Sequence, residues 1–327
     1  MAMGREIRYL SRRDVESVGL GIDRCIDVLE AAHRAKAAGQ VEMPKKPCLG
    51  DPMREGFMSA YCARVGADEI GMKWLGGRPD NKLRGAPQIS AMIILNDPET
   101  FLPVAVMDGT SVTGMRTAGV TGIALRRLPR PDSAVLAVLG CGYEGETHAR
   151  VAKAACPNLR RVLAWSPNIE TASRFARKLE TELDIGIEPV RDAEAAVRAA
   201  DIVVSSTPLG APEPFAMVHA DWLREGATFA SISRVNHLCA DAFFAFDQYY
   251  VDDLATMDFI AERRGFEAAR DLPARELGAL LRDGGGRTDG AQRILFASEG
   301  IAINDVAVGW EIYRLACARG IGTVLEA

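Results

Sequence analysis

Three observations predict an α/β protein built on a doubly wound parallel sheet, with a second α/β domain beside it. Beyond residue 133, short strands that are apolar throughout alternate with helices, the pattern of a sheet covered on both faces. A glycine-rich turn, Gly140-Cys141-Gly142-Tyr143-Glu144-Gly145, follows the first of those strands and opens the first of those helices. Ahead of Pro129-Arg130-Pro131 the pattern differs: longer strands are followed by a helix of small residues.

The chain has 327 residues, enough for about two domains. Its 39 Lys+Arg against 44 Asp+Glu leave a net charge of −5, which argues against a nonspecific nucleic-acid binder. With 48% apolar and 25% charged residues it has the composition of a globular protein rather than a disordered one. No apolar run approaches the roughly 20 residues of a membrane span, and Met1-Ala2-Met3-Gly4-Arg5-Glu6 lacks the apolar core of a signal peptide. The seven cysteines are odd in number and none forms a C-x-x-C pair, and His33, His148, His219 and His237 are scattered. No metal and no disulfide framework are expected from such spacing, and a reduced, cytoplasmic setting is.

In chain order, residues 12–40 read as a helix capped by Ser11, with Val15, Val18, Ile22, Cys25, Ile26 and Leu29 at helical spacing. Residues 57–75, 88–96 and 103–107 read as strands, the second ending at the turn Asn96-Asp97-Pro98. Residues 111–127 read as a helix whose Gly114, Ala118, Gly119 and Gly122 permit close backbone approach. Strands then follow at 134–139, 161–165, 187–190, 202–207, 227–232 and 248–252, interleaved with helices at 146–155, 169–183 and 193–200. Residues 254–292 read as mostly helical and charged with a flexible tip at Gly284-Gly285-Gly286, and 298–319 as one long helix that returns to the first domain. The expected boundaries are a first domain at 1–128 completed by 298–327, and a Rossmann dinucleotide-binding domain at 129–297.

The turn Gly140-x-Gly142-x-x-Gly145 has the context that gives this motif meaning. The first glycine permits a tight turn, the second lets the backbone approach a pyrophosphate, and the third lets helix and strand pack closely. The helix N-terminus then presents N–H groups and a partial positive charge to phosphates. Tyr143, Glu144, Ser166 and Asn168 flank the expected dinucleotide, and so do Ser206 and Thr207 at the end of the 202–207 strand; Ser205 to Pro208 read equally as a hydroxyl-rich turn. The second strand ends in Trp165-Ser166-Pro167-Asn168, without the carboxylate that binds the ribose 2′-hydroxyl of NAD. That absence leans toward NADP, although no arginine stands there before Arg174, and it leaves NAD open.

Three cations stand in unusual contexts: Lys46 in Lys45-Lys46-Pro47, Lys73 in Gly71-Met72-Lys73-Trp74, and Arg116 in Gly114-Met115-Arg116-Thr117-Ala118. Lys73 lies in an apolar strand, where a charge is costly without a partner. Arg116 on its small-residue helix suits a bidentate pairing with a carboxylate. Taken singly, each also reads as a solvated or structurally paired cation.

Together with Asn81-x-x-x-Gly85-x-Pro87, Ile93-x-Leu95-x-Asp97-x-x-Thr100, the stretch from Pro103 to Ala118, the glycine turn and Gly300-Ile301-Ala302-Ile303-Asn304-Asp305-Val306-Ala307, these contexts resemble the ornithine cyclodeaminase/μ-crystallin family. The resemblance runs in order over nearly the whole chain. It implies an N-terminal α/β domain that binds substrate and forms a homodimer, a Rossmann domain that binds NAD(H) or NADP(H), and an active site in the cleft. It implies hydride exchange at the Cα of a small amino or imino acid, as in imine reductases and amino-acid dehydrogenases. Lys73 and Arg116 would be catalytic and, with Lys46, would hold the substrate carboxylate; Lys73 would also carry a proton if burial lowers its pKa. Thr117 would lie near the cofactor phosphates.

One departure stands out. The family's cyclodeaminases place an aspartate after the strand at 228–232, where this chain reads Ser231-Ile232-Ser233-Arg234-Val235-Asn236-His237. Ser233 is nearest to the expected position, and Arg234 or His237 would meet an acidic side chain if the substrate has one. The reductase or dehydrogenase reading is therefore preferred. The alternatives are an ammonia-releasing cyclodeaminase that uses bound NAD, and a non-enzymatic dinucleotide-binding protein like μ-crystallin.

Overall fold

The structure is a computed structural model and describes residues 6–51, 56–206, 218–232 and 235–326. The chain forms two compact units, residues 1–116 with 300–327, and residues 117–299.

The first unit begins with β1 (Glu6–Leu10), α1 (Arg12–Ser17) and α2 (Ile22–Ala37). Ser11 caps α1 in a capping box with Asp14, as its sequence suggests. The helix expected over 12–40 is broken, however, because Gly19 takes a left-handed φ of 66° and ends the first segment. The short β2 (Val41–Glu42) and β3 (Cys48–Asp51) precede β4 (Gly56–Val65) and β5 (Glu69–Gly77). The single strand expected over 57–75 is thus an antiparallel hairpin, folded at Gly66 with φ of 61°. Strands β6 (Ile89–Asn96) and β7 (Pro103–Asp108) and helix α3 (Gly109–Leu125) follow as expected. The division of units falls within α3, after Arg116.

The second unit holds β8 (Val135–Leu139), α4 (Tyr143–Ala155), β9 (Arg161–Trp165), α5 (Ile169–Leu183), β10 (Gly186–Val190) and α6 (Ala193–Ala199). It continues with β11 (Ile202–Ser205), β12 (Thr228–Ser231), α7 (Ala240–Phe243), β13 (Gln248–Val251), α8 (Ala255–Arg264), β14 (Arg275–Glu276), α9 (Leu277–Asp283) and β15 (Ile294–Ala297). All its strand pairs are parallel, in the order β10-β9-β8-β11-β12-β15-β13-β14. The order reverses between β8 and β11, which creates the crevice where doubly wound sheets bind ligands. Its core joins Leu139, Leu163, Val203, Phe229 and Leu295 from the strands to Ala196, Val197, Phe243 and Ile260 from the helices. Strand β15 falls in a stretch that reads as a connection in sequence. At the tip Gly284-Gly285-Gly286 the first two glycines are exposed, while Gly286 is buried and its N–H donates to Tyr250 Oη at 3.0 Å.

The chain then completes the first unit with α10 (Ala302–Arg319) and β16 (Thr323–Glu326). Helix α10 begins four residues later than expected, because Gly300 adopts a left-handed φ of 74°. The sheet of this unit runs β16-β1-β7-β6-β5-β4-β2, with β3 also on β4. Helix α10 packs on it through Gly309, where an added Cβ would stand 3.3 Å from Ile93 and 3.4 Å from Leu95. The opposite face exposes Tyr9, Trp74 and Met92. Among the described residues no helix is long and apolar enough to cross a membrane.

Candidate functional site

The close seating of α10 carries an acid onto the strand cation. Lys73 is completely buried in β5, and its Nζ lies 2.7 Å from Oδ1 of Asp305, itself completely buried in the first turn of α10. Asp305 gains there from the partial positive charge of the helix N-terminus. Arg116, brought by α3, donates from Nε to the same Oδ1 at 3.0 Å. The other carboxylate oxygen, Oδ2, is buried and makes no hydrogen bond among the described residues. Lys46 donates to the carbonyl of Gly300 at 2.6 Å, and its ammonium stands 4.3 Å from the Tyr61 ring centroid. Lys73 Nζ lies 4.9 Å from that centroid. Gly300 in turn lies against the guanidinium: an added Cβ would come within 2.5 Å of Arg116 Nη1.

The first unit therefore sets Lys73 and Arg116 on one carboxylate, with Lys46 held at the Gly300 carbonyl and over the Tyr61 ring. Burial, with Arg116 beside it, pulls the Lys73 pKa from 10.5 down to about 7, against the opposing pull of Asp305. An amine at that value exchanges protons readily at neutral pH. The sequence pointed to the three cations by their contexts. It did not single out Asp305, Tyr61 or Gly300. An aspartate inside the apolar run Ile301–Val308 was the signal for the first.

In the second unit, β8 ends at the glycine turn and α4 starts from it, with Gly142 as N-cap. Gly140 has φ of 112°. A Cβ on Gly145 would stand 2.0 Å from the Gly140 carbonyl oxygen, so only glycine fits. A Cβ on Gly142 would meet nothing within 4 Å, which leaves the turn open on its outer side. Ser206, at the end of β11, ties the turn down: its N–H donates to Leu139 O and its Oγ to Gly140 O, each at 2.8 Å. Tyr143 is half exposed over the start of α4. Glu144 offers its backbone carbonyl to His148 Nδ1 at 2.7 Å, and His148 Nε2 meets Thr121 Oγ1 at 3.1 Å. These residues fit a dinucleotide: a crossed strand order, a turn with room for a pyrophosphate, and a helix N-terminus facing it.

At the end of β9 the Trp165 indole is buried and donates to Arg191 O, Ser166 is half-buried, and Asn168 is committed to capping α5 through Glu170 N–H at 2.9 Å. Arg174 is exposed one turn on. No side-chain carboxylate stands between Trp165 and Asn168. Thr117 continues α3 at the start of the second unit. Thr207, Ser233 and Arg234 lie outside the described residues. His237 does not face outward as sequence reading allowed. It is buried, its Nδ1 is 2.7 Å from Ser205 Oγ, and burial pushes its pKa down to about 4, so it is neutral at pH 7.

A parallel sheet in the order β10-β9-β8-β11-β12 with this glycine turn, together with a first unit that buries Lys73 and Arg116 on one aspartate, defines an α/β protein of the dinucleotide-binding class. The family model of the ornithine cyclodeaminase/mu-crystallin family matches residues 6–319, and the chain belongs to that family. It is 30% identical to the N-((2S)-2-amino-2-carboxyethyl)-L-glutamate dehydrogenase of Staphylococcus aureus, over 99% of both chains. Among solved structures it is similar to the Δ1-pyrroline-2-carboxylate reductase of Thermococcus litoralis in complex with NADH and L-proline, with a TM-score of 0.89, 27% identity and coverage of 97% of this chain and 99% of that one. It is also similar to an archaeal alanine dehydrogenase dimer with bound NAD, with a TM-score of 0.87, 29% identity and coverage of 98% and 99%.

Proposed function

We propose that this protein is an NAD(P)(H)-dependent oxidoreductase acting on the C–N bond of a small amino or imino acid, as an imine reductase or amino-acid dehydrogenase. The observation that carries the reading is the buried Lys73–Asp305–Arg116 cluster, in a family whose relatives include such reductases and dehydrogenases. Bound nicotinamide supplies the hydride, or accepts it in the reverse direction.

The chain's own residues do the rest. Arg116, Lys73 and Lys46 hold the substrate carboxylate. Lys73 Nζ gives a proton to the imine nitrogen in reduction and takes it back in oxidation. Asp305 Oδ1 aims the two buried cations, and the unpaired Oδ2 accepts an N–H of the product amine. Ser233 borders the substrate. Thr117, Gly140, Gly142, Tyr143, Glu144, Gly145, Ser166, Asn168, Ser206 and Thr207 surround the dinucleotide, with Ser206 acting through the turn it braces. The missing carboxylate after β9 supports use of NADP(H), and the relatives' structures with NADH and NAD support NAD(H). The apolar face bearing Tyr9, Trp74 and Met92 supports a homodimer, as does the dimeric relative. Seven free thiols suit a reducing cytoplasm.

Asp241, the first carboxylate after Ser231, speaks against ring-closing deamination: it is exposed and accepts the N–H of Ala220. Titration with NADH and NADPH by fluorescence, with a panel of cyclic imines and of 2-oxo acids with amines, tests the proposal. Deuteride passing from the cofactor to the product's α-carbon is expected. Cofactor binding without turnover on any member would favour the non-enzymatic alternative, and ammonia release from ornithine or lysine without net cofactor oxidation would favour the cyclodeaminase.

A further inference from the structure

His219, Cys239 and Asp241 are spaced in sequence in a way that suggests nothing, but the fold brings them together. Val218 and Leu238 form a parallel bridge. Cys239 N–H donates to Val218 O at 3.0 Å, which zips the two segments and sets His219 beside Cys239. Cys239 is the residue just ahead of α7, and Asp241 stands in the first turn of that helix. Cys239 Sγ is 3.6 Å from His219 Nε2, and Asp241 Oδ2 is 3.4 Å from His219 Nδ1. The carboxylate is anchored by the Ala220 N–H at 3.0 Å, and the imidazole stands edge-on to Trp222 with centroids 5.8 Å apart. One ligand atom from each residue lies within 4.8 Å of the other two.

We propose that His219, Cys239 and Asp241 form a site for one divalent ion of the zinc class, with water completing its four-coordinate shell. Zn–S and Zn–N bonds at a tetrahedral angle separate sulfur from nitrogen by about 3.6 Å, which is the spacing found. A thiolate with an imidazole favours zinc or cobalt over magnesium or calcium, which prefer oxygen ligands. The carboxylate either takes the third position or orients the ring through Nδ1, as carboxylates behind zinc-bound histidines do. The bound ion clips the segment at 218–222 to the start of α7. None of the three residues takes part in the dinucleotide or substrate chemistry proposed above.

The test uses tag-free full-length protein stripped with chelator. Titration with Co2+ is expected to give a thiolate-to-cobalt charge-transfer band that saturates at one equivalent and is displaced by Zn2+ but not by Mg2+. Zn2+ at a hundredfold excess over its Kd is expected to raise the Tm by roughly 5 °C. Cys239→Ser is expected to abolish the band and the Tm shift while leaving the apo Tm and cofactor titration unchanged. Should that variant fail to fold, His219→Gln carries the test, with affinity expected to fall at least about tenfold. Absence of the band, its persistence in Cys239→Ser, or an unchanged affinity in His219→Gln would overturn the proposal.

Discussion

Replacing Asp305 by Asn tests the core of the cationic cluster. The substitution keeps the shape but removes the charge that Lys73 and Arg116 share through Oδ1, at 2.7 and 3.0 Å. The two cations respond differently. Arg116 cannot shed its proton, so its lost charge-assisted hydrogen bond costs about 2 kcal/mol at any pH. Lys73 can shed its own. With Asp305 in place its pKa is about 7, and Asp305 is one of the influences that hold it up. In the variant the value falls further. At pH 9 the lysine is neutral in both proteins and adds nothing to the difference. At pH 6 the native protein gains from binding the proton and the variant does not, which adds about 1.4 kcal/mol. The expected deficit is therefore about 2 kcal/mol at pH 9 and about 3–4 kcal/mol at pH 6, within the usual cost of breaking a buried ion pair. Urea unfolding of the ligand-free protein, at fixed protein concentration and at both pH values, measures it. A deficit equal at the two values, or larger at pH 9, would refute the coupling of Lys73 to Asp305.

Three further outcomes are expected. In the native protein Lys73 has a folded pKa below its unfolded value of 10.5, so its contribution to stability rises as pH increases from about 7 to 10.5; in catalysis, kcat/KM for reduction should fall above about pH 7 as the proton donor is lost, and this inflection should vanish in Lys73→Met. Gly300→Ala puts a Cβ 2.5 Å from Arg116 Nη1 at a left-handed φ of 74°, so kcat/KM should drop on the order of tenfold or more while cofactor affinity stays near native. Gly145→Ala places a Cβ 2.0 Å from Gly140 O and should abolish NADH and NADPH binding in fluorescence titration, with a Tm loss that separates it from Ser206→Ala, which removes only the brace and should weaken binding about tenfold.

Local pattern was sufficient for much of this molecule. The strand at Arg161–Trp165 and the helix at Ile169–Leu183 lie where periodicity puts them, because buried parallel strands and amphipathic helices each carry their own signature. The glycine turn was legible for the same reason: its steric demands act over six residues. What local pattern missed were breaks and short edges. Gly19, Gly66 and Gly300 look like ordinary residues of a continuing element until their left-handed backbones end it. Strands β1 and β16 pair with each other from opposite ends of the chain, so neither is marked by its own neighbours.

The site divides along the same line. Sequence by itself determined the class of fold and the glycine turn, and it pointed to three cations in unusual contexts, of which only Lys73 in its apolar strand was marked by the cost of a buried charge. Only the tertiary structure decided that Asp305 answers two of them at one oxygen, that Gly300 is pressed against Arg116, that His237 is buried on Ser205 rather than open to substrate, and that His219 meets Cys239. The physical reason is range. Backbone preference and hydrophobic periodicity act over a few residues, whereas the partner of a buried charge is whatever packing brings within about 3 Å, here a residue 232 positions away from Lys73 in sequence.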